Sequence, residues 1–127
     1  MSDGQARLAL VVDDDDTIRQ LVGNLLQMDH FKVESACDGA EALEKMKASE
    51  FAVVILDLVM PNKDGFAVLD ELLMSAPESL GRIIILTALP KETVPTHPVF
   101  SVLAKPFEIH ALLRSARDCA QGCEAVN

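Results

Sequence analysis

The sequence is short of basic residues and of long apolar runs, and each shortage excludes a class of protein. Its 11 lysines and arginines stand against 20 aspartates and glutamates, which gives a net charge of −9. This balance argues against direct binding of nucleic acid, because contacts to phosphates need a basic surface. The longest apolar runs, such as residues 8–12 and 83–86, are far shorter than a membrane span. We therefore expect no nucleic-acid partner and no insertion into a membrane.

Cysteines are also few. Cys37, Cys119 and Cys123 are odd in number and lack the spacing of a metal site, which is typical of a protein in a reducing cytosol. No positively charged leader precedes a longer apolar stretch, so no signal peptide is predicted. The expected location is the cytoplasm.

The chain does contain enough apolar residues for one folded domain. Half of its 127 residues are hydrophobic and 24% are charged, a composition typical of a globular domain and not of a disordered chain. The length fits one domain and is too short for two. We expect residues 1–127 to form a single domain whose core covers about residues 8–120.

Short aliphatic runs alternate along the chain with segments of helical periodicity. The runs do not alternate polar with apolar residues, so they predict strands covered on both faces, as in a parallel sheet. The predicted strands are residues 8–12, 31–36, 52–56, 83–86 and 101–104. Helices are predicted around residues 18–26, 40–48 and 66–74 and from about residue 108. The order predicts an α/β fold, an open sheet with helices on both faces.

Two segments allow more specific predictions. In the first helix, one buried stripe is expected, formed by Ile18, Leu21, Val22, Leu25 and Leu26. In residues 89–100, three prolines fall close together, and each restricts the residue before it. A regular helix is therefore not expected there, and a single helical turn or an extended loop is predicted.

Residues with chemically useful side chains follow four of the predicted strands. Aspartates at positions 13–16 follow the first strand, Asp57 follows the third, Thr87 follows the fourth and Lys105 follows the fifth. In an open parallel sheet, ligands bind at the edge where the carboxyl ends of the strands lie. We expect these side chains to converge on that edge.

Such a cluster predicts phosphoryl chemistry that depends on a metal. Crowded carboxylates are costly unless a cation is bound, and oxygen ligands at a wet edge suit Mg²⁺ better than zinc. A metal beside a lysine ammonium and a threonine hydroxyl forms a cradle for a phosphoryl group. Asp57 is the predicted acceptor, because it lies between the acidic run and the strand ends that carry Thr87 and Lys105. The product would be an aspartyl phosphate.

Five segments resemble the response-regulator receiver domain of two-component signalling, and they occur in the family's order over about residues 8–120: VVDDDDTIRQLV, ACDGAEAL, VVILDLVMPNKDG, IIILTA and LAKPF. The resemblance implies a flavodoxin-like fold, with a doubly wound five-stranded parallel sheet of strand order 2-1-3-4-5 and helices on both faces. The fourth helix is expected to be degenerate, because the proline-rich segment 89–100 takes its place and is about one helical turn short.

Carried over by position, the resemblance implies a role for each residue at the predicted edge. Asp57 is the phosphoacceptor, Thr87 bonds a phosphoryl oxygen and Lys105 pairs with the phosphate. Asp13 and Asp14 form the acidic pair, with Asp14 as the direct Mg²⁺ ligand and Asp13 acting through water.

The resemblance also implies three features of the backbone. The carbonyl of Val59 is a further metal ligand beside Asp57. The Lys105–Pro106 peptide bond is expected to be cis. Asp64 and Gly65 form the turn that closes the loop after the acceptor, where glycine permits a positive φ.

Other polar residues receive structural interpretations. Asp15 and Asp16 extend the acidic pair beyond what the family needs, and they are interpreted as capping the first helix. His30, His97 and His110 lie at no strand end, so surface positions are predicted for all three.

The implied function is a signalling switch. The domain takes a phosphoryl group from a phosphohistidine on a sensor histidine kinase or a histidine phosphotransfer protein. It then changes its affinity for a downstream protein, which the sequence does not identify. It is not expected to be an enzyme with a small-molecule substrate, because it catalyses only its own phosphorylation and dephosphorylation.

Two other readings compete with this one. Asp13, Asp15 and Thr17 match the DxDxT motif of haloacid-dehalogenase-like phosphatases, with Asp13 as nucleophile, Asp15 as general acid, and Thr87 and Lys105 as the later motifs. The late acidic motif of that family would have to follow Lys105, and the chain leaves no room for a cap domain. An inactive receiver used only for protein binding is the third reading, and the intact site residues argue against it.

Val59, Leu89 and Val102 depart from the family pattern. Val59 and Leu89 flank the expected phosphoryl group, and their aliphatic side chains are expected to exclude water and prolong the phosphorylated state. Val102 takes the place of an aromatic residue that moves inward in many members, so that switch is not expected in its usual form. Residues 89–100 are the predicted moving element.

Overall fold

Five parallel strands lie side by side at the centre of the protein. The structure, a computed structural model, describes residues 7–94 and 97–125. The strands are β1 (Arg7–Val12), β2 (Phe31–Ala36), β3 (Val53–Leu56), β4 (Ile83–Thr87) and β5 (Ser101–Ala104). Their order is β2-β1-β3-β4-β5, which confirms the predicted flavodoxin-like sheet.

Helices connect the strands. They are α1 (Asp16–Met28), α2 (Gly39–Ala48), α3 (Gly65–Ser75) and α4 (Ile109–Ala125), with short 3-10 helices at Pro77–Arg82 and Lys91–Thr93. Because a parallel pair of strands needs a crossover connection, helices cover both faces of the sheet. None of the helices in the described ranges is long and apolar enough to cross a membrane.

Two apolar layers hold the helices on the sheet. Successive residues of a strand point to opposite faces, so Leu10 packs with Leu69 of α3, whereas its neighbour Val11 packs with Leu26 of α1 and Leu112 of α4. Complete burial of each such leucine contributes about 1.5–3 kcal/mol. This double layer holds the strand ends, and therefore the site residues, in fixed positions.

The buried stripe of α1 is narrower than predicted. Val22 and Leu26 are buried, and Ile18 and Leu25 are half-buried. Leu21 is 42% exposed, so its inclusion in the stripe was wrong. It precedes Val22 by one residue and therefore points about 100° away around the helix.

The proline-rich segment forms no regular helix in its described part, as predicted. It contains a single 3-10 turn, Lys91–Thr93, and Pro95 lies outside the described residues. His97 Nε2 lies 2.9 Å from Asp70 Oδ1 and links this segment to α3. The side chain of His97 is only 14% exposed, so the predicted surface position was wrong for this histidine.

The structure also describes the other two histidines and two of the three cysteine side chains. His30 and His110 are exposed, as predicted. Cys37 is an exposed free thiol and Cys119 a buried one. The side chain of Cys123 lies outside the described residues.

Candidate functional site

Carboxylates from two neighbouring strand ends meet at one edge of the sheet. Asp13 follows β1, and its N–H donates to the carbonyl of Ala36 at 3.2 Å. Asp57 follows β3, and its N–H donates to the carbonyl of Val12 at 3.0 Å. These bonds extend the sheet by one residue and fix both aspartates. Asp13 is 3% and Asp57 is 7% exposed.

The predicted acidic cluster is present. One carboxylate oxygen from each of Asp13, Asp14 and Asp57 can be chosen so that all three lie within 4.8 Å of one another. Asp14 is exposed, whereas the other two are buried. The cluster therefore faces solvent on one side and the sheet on the other.

Lys105 brings a positive charge to these carboxylates. Its Nζ donates to Asp13 Oδ2 at 2.8 Å and lies 3.4 Å from Asp57 Oδ2. The lysine follows β5, and its N–H donates to the carbonyl of Thr87 at 2.9 Å. The Lys105–Pro106 peptide bond is cis, as predicted.

Thr87 is the last residue of β4 and is 2% exposed. Its Oγ1 accepts a hydrogen bond from the N–H of Leu89 at 3.2 Å. A threonine hydroxyl accepts and donates at once, so this bond leaves its own hydrogen available for another acceptor. Because β3 and β4 are adjacent, this hydroxyl belongs to the same sheet edge as Asp57.

Burial and neighbouring charges shift the pKa values of Asp57 and Lys105. The pKa of Asp57 is raised, first by loss of solvent around the carboxylate, against the opposing charge of Lys105 and with a further rise from Asp13. Desolvation alone would lower the pKa of Lys105. The hydrogen bond to Asp13 and the charges of both aspartates outweigh it, so the pKa of the lysine is raised.

The donor set fits a hard divalent cation. Three carboxylates against one ammonium leave an excess of negative charge, and all the candidate ligand atoms are oxygens, which Mg²⁺ prefers. Val59, the other predicted ligand residue, adjoins the cluster, since its N–H lies 3.5 Å from Asp57 Oδ1. Val59 is 57% exposed.

The other two aspartates of the acidic run lie at the start of α1, and of the two Asp15 caps this helix, as predicted. Asp15 Oδ1 accepts from the N–H groups of Thr17 at 2.9 Å and Ile18 at 3.3 Å. Asp16 lies in the first turn of α1 and pairs with Arg19. Because its carboxylate caps α1, Asp15 is poorly placed to be the general acid of the phosphatase reading.

Gly65 is required for a different reason from the one predicted. It is the first residue of α3, and its φ is not in the left-handed region. A Cβ there would lie 2.4 Å from the carbonyl oxygen of Asp57 and 2.7 Å from the Cα of Leu58. Glycine is therefore needed for close approach to the acceptor strand, and the expectation of a positive φ was wrong.

Sequence reasoning missed two residues near the site. The Arg19 guanidinium donates to the carbonyl of Asp13 at 2.7 Å, and no motif signals this contact. Asn62 has a φ of 64° and bonds to Asp38 at 3.2 Å. The tolerance of asparagine for left-handed backbone is a signal that was available for the second residue.

Comparison with known proteins gives a family match. A family model described as the response regulator receiver domain matches residues 9–117. The chain belongs to this family. The phosphatase reading is therefore disfavoured.

Relatives of the receiver domain include longer regulators. Response regulator RR06 of Streptococcus pneumoniae serotype 2 (strain D39 / NCTC 7466) is 36% identical over 110 residues, 83% of this chain and 49% of that protein. Probable transcriptional regulator ycf27 of Porphyridium aerugineum is 42% identical over 85 residues, 67% of this chain and 34% of that protein. The chain thus spans half or less of the length of these relatives.

Solved structures agree with the fold of the receiver domain. The receiver domain of the Francisella response regulator 1452 is 27% identical, with a TM-score of 0.82 over 92% of this chain and 98% of that one. Chemotaxis response regulator CheY4 of Vibrio cholerae is 32% identical, with a TM-score of 0.79 over 91% of this chain and 99% of that one.

Two of the three departures from the family pattern, Leu89 and Val102, line a cavity next to Thr87. The cavity has a volume of about 190 Å³ and is lined by Thr87, Leu89, Val94, Val102, Leu103 and Ala104. Val102 is 41% exposed on β5. In this receiver domain an aliphatic side chain therefore stands beside the threonine, where many members carry an aromatic one.

Proposed function

We propose that this receiver domain accepts a phosphoryl group on Asp57 and thereby changes its affinity for a downstream protein. The donor is a phosphohistidine on a sensor histidine kinase or a histidine phosphotransfer protein. The observation that carries the proposal is the position of Asp57, a buried carboxylate within 3.4 Å of the Lys105 ammonium and within 4.8 Å of two further carboxylates.

The proposed transfer has a simple balance. A carboxylate oxygen of Asp57 attacks the phosphorus, and the new P–O bond forms as the P–N bond to the imidazole breaks. The imidazole leaves with the electron pair of that bond and takes up a proton from solvent. The protein contributes positioning and charge, as phosphoryl transfer generally requires.

Lys105 and Thr87 are proposed to hold the transferred group. The ammonium of Lys105 already lies between Asp13 and Asp57, so an arriving phosphoryl oxygen finds a cation within reach. The hydroxyl of Thr87 can donate to a second phosphoryl oxygen while it accepts from Leu89. A change at Thr87 would be passed directly to the backbone of Leu89, and residues 89–100 are the proposed moving element.

Mg²⁺ is the proposed cofactor. Asp14, Asp57 and the carbonyl of Val59 would bind it directly, with Asp13 acting through water. When bound, it supplies positive charge that offsets the carboxylates and the phosphoryl oxygens. The excess of carboxylates over ammonium groups at the site supports this assignment.

The proposal extends to the whole chain. Residues 1–127 would act as one receiver domain with a core of about residues 8–120, supported by a family match over residues 9–117. The domain would work in the cytoplasm. It would make no direct contact with nucleic acid or membrane, and the net charge of −9 supports this part of the proposal. It would turn over no small-molecule substrate.

Phosphorylation by a small donor tests the proposal. The purified protein is incubated with acetyl phosphate and Mg²⁺, and the modified residue is mapped by mass spectrometry. We expect a single phosphoryl group on Asp57, no labelling of Asp57→Asn, and loss of labelling when Mg²⁺ is chelated. A label on Asp13 would instead favour the phosphatase, and an unlabelled protein would favour the inactive receiver.

A further inference from the structure

The loop that carries Val59 is attached to the start of α2. The N–H of Gly39 donates to the carbonyl of Lys63 at 2.8 Å. The amide Nδ2 of Asn62 donates to Asp38 Oδ2 at 3.2 Å, across 24 residues of sequence. We call these four residues, Asp38, Gly39, Asn62 and Lys63, the α2 clasp.

The backbone contact of the α2 clasp leaves no room for a side chain. A Cβ at Gly39 would lie 2.3 Å from the carbonyl oxygen of Lys63 and 2.7 Å from Cγ2 of Val68. Asn62 has a φ of 64°, a backbone conformation that asparagine adopts more readily than most residues. The α2 clasp therefore depends on a glycine at position 39, where the two backbones approach closely, and on an asparagine at position 62, where the backbone is left-handed.

Asp38 is itself held in place by the helix. Its Oδ1 accepts from the N–H of Glu41 at 2.9 Å and caps α2. The backbone hydrogen bond from Glu41, and then the bond from Asn62, lower the pKa of Asp38. One carboxylate thus caps a helix with one oxygen and holds the neighbouring loop with the other.

The two ends of the same loop are also fixed. Near its start, the carbonyl of Leu58 accepts from the N–H of Gly65 at 3.0 Å. At its end, Asp64 caps α3 by accepting from the N–H of Ala67 at 3.0 Å. Between these ends, Met60 is buried in the core, and Lys63 Nζ pairs with Glu71 of α3 at 2.8 Å. The α2 clasp ties the same stretch to a second helix.

We propose that the α2 clasp is a positioning device that holds the Val59 carbonyl in place for a divalent cation before the cation arrives. This inference rests on the proposed function. A loop that is ordered only on binding loses conformational freedom at that moment, and the loss weakens affinity. A loop already held by Asp38 and Asn62 avoids that loss. Neither residue touches the reacting atoms, so both are positioning residues.

Variants at Asp38 separate the contact from the charge. Asp38→Ser and Asp38→Asn both remove the negative charge and both keep a residue that caps helices well. With the Asn62 amide turned over, the asparagine of Asp38→Asn keeps both contacts, because its Oδ1 caps α2 and its Nδ2 donates to Asn62 Oδ1. Serine is too short to reach Asn62 and cap α2 together. Asn62→Gly removes the side-chain amide and keeps a residue that readily adopts a left-handed φ. Ser75→Ala is the matched control, since it removes one exposed hydrogen bond of 2.9 Å at the far end of α3.

Two measurements are made on the unphosphorylated protein. Isothermal titration calorimetry gives the Kd for Mg²⁺, and urea unfolding in the presence of a chelator gives the stability of the metal-free fold. We expect Asp38→Ser and Asn62→Gly each to raise the Kd by about 2- to 10-fold, the effect of losing one ordinary hydrogen bond. Asp38→Asn and Ser75→Ala should bind Mg²⁺ as the unaltered protein does.

The double variant, Asp38→Ser with Asn62→Gly, decides whether the two residues act together. If Asp38 and Asn62 act through one contact, the Kd of the double variant for Mg²⁺ should be no higher than that of the single variant that binds more weakly. Additive effects, or a lower stability with an unchanged Kd, would overturn the inference and leave the proposed function intact. Failure of the unaltered protein to bind Mg²⁺ would overturn both.

Discussion

Gly65 offers the sharpest test of how the fold controls the acceptor. In Gly65→Ala the new Cβ would lie 2.4 Å from the carbonyl oxygen of Asp57 and 2.7 Å from the Cα of Leu58. Both are backbone atoms, so no side-chain rotation relieves the contact. Because non-bonded carbons prefer separations of about 3.5–4.0 Å, the start of α3 and the end of β3 must separate by roughly 1 Å.

The cost of this separation can be bounded. Overpacking of a well-packed site costs about 1–3 kcal/mol, and a rigid backbone contact belongs at the upper end. Alanine is favoured over glycine in a helix by up to about 1 kcal/mol, which offsets part of the cost. We expect Gly65→Ala to lower the free energy of unfolding by about 2 kcal/mol, well below the 5–15 kcal/mol of a typical domain. The variant should therefore remain folded.

Gly122→Ala is the matched control. Gly122 is exposed on α4, and a Cβ there would meet nothing within 4 Å. Only the helix preference then operates, so this substitution should raise the free energy of unfolding by about 0.5–1 kcal/mol. The two Gly→Ala changes thus have opposite signs within one protein.

The assay is urea unfolding followed by far-ultraviolet circular dichroism, because the sequence has no tryptophan or tyrosine to report by fluorescence. Phosphorylation by acetyl phosphate is measured in parallel. A displacement of Asp57 by roughly 1 Å should slow labelling by about 100-fold, whereas Gly122→Ala should be labelled normally. A Gly65→Ala protein as stable and as readily labelled as the unaltered one would refute the close-approach argument.

Three further predictions concern the same edge of the sheet. Val59→Asn should speed loss of phosphate by about 10-fold, because a polar group there can orient water; fast loss from the unaltered protein, followed with radiolabelled phosphate, would contradict this. Asp57→Asn should stabilise the metal-free protein at neutral pH, because the raised pKa means that the ionised carboxylate costs stability there. The introduced amide cannot ionise, so the increase in the free energy of unfolding should shrink as pH falls through the raised pKa of Asp57. An increase, measured by urea unfolding, that is the same at all pH values would contradict this prediction. Asp15→Ala should cost about 1 kcal/mol by removing the cap of α1 and leave labelling unchanged, and slower labelling would give Asp15 a role in the chemistry.

Most of the fold could be predicted because its signals are local. Five aliphatic runs separated by helical periodicity require only neighbouring residues to be read, and the structure has five parallel strands in the predicted order. The edge cluster could also be predicted, since parallel strands bring their carboxyl ends together. Asp13 and Asp57 do lie side by side, with Lys105 between them.

The errors share a physical cause, which is contact between segments distant in sequence. His97 is largely shielded because its segment lies on α3 beside Asp70, and no local pattern carries that packing. The close approach of Gly65 to Asp57 is set by where α3 begins relative to β3. Leu21 was misplaced because the sheet covers the side of α1 that carries Val22 and Leu26, and Leu21 lies at the opposite edge of the stripe.

Residue order alone determined which groups end each strand, and with them the acidic edge, the acceptor and the lysine. Only tertiary structure decided how tightly those groups are held: the burial that raises the pKa of Asp57, the approach of Gly65, and the α2 clasp across 24 residues. The reason is the separation along the chain of the residues that set each feature. Strand and helix patterns depend on neighbours in the chain, whereas burial and clearance depend on distant segments brought together when the sheet is covered.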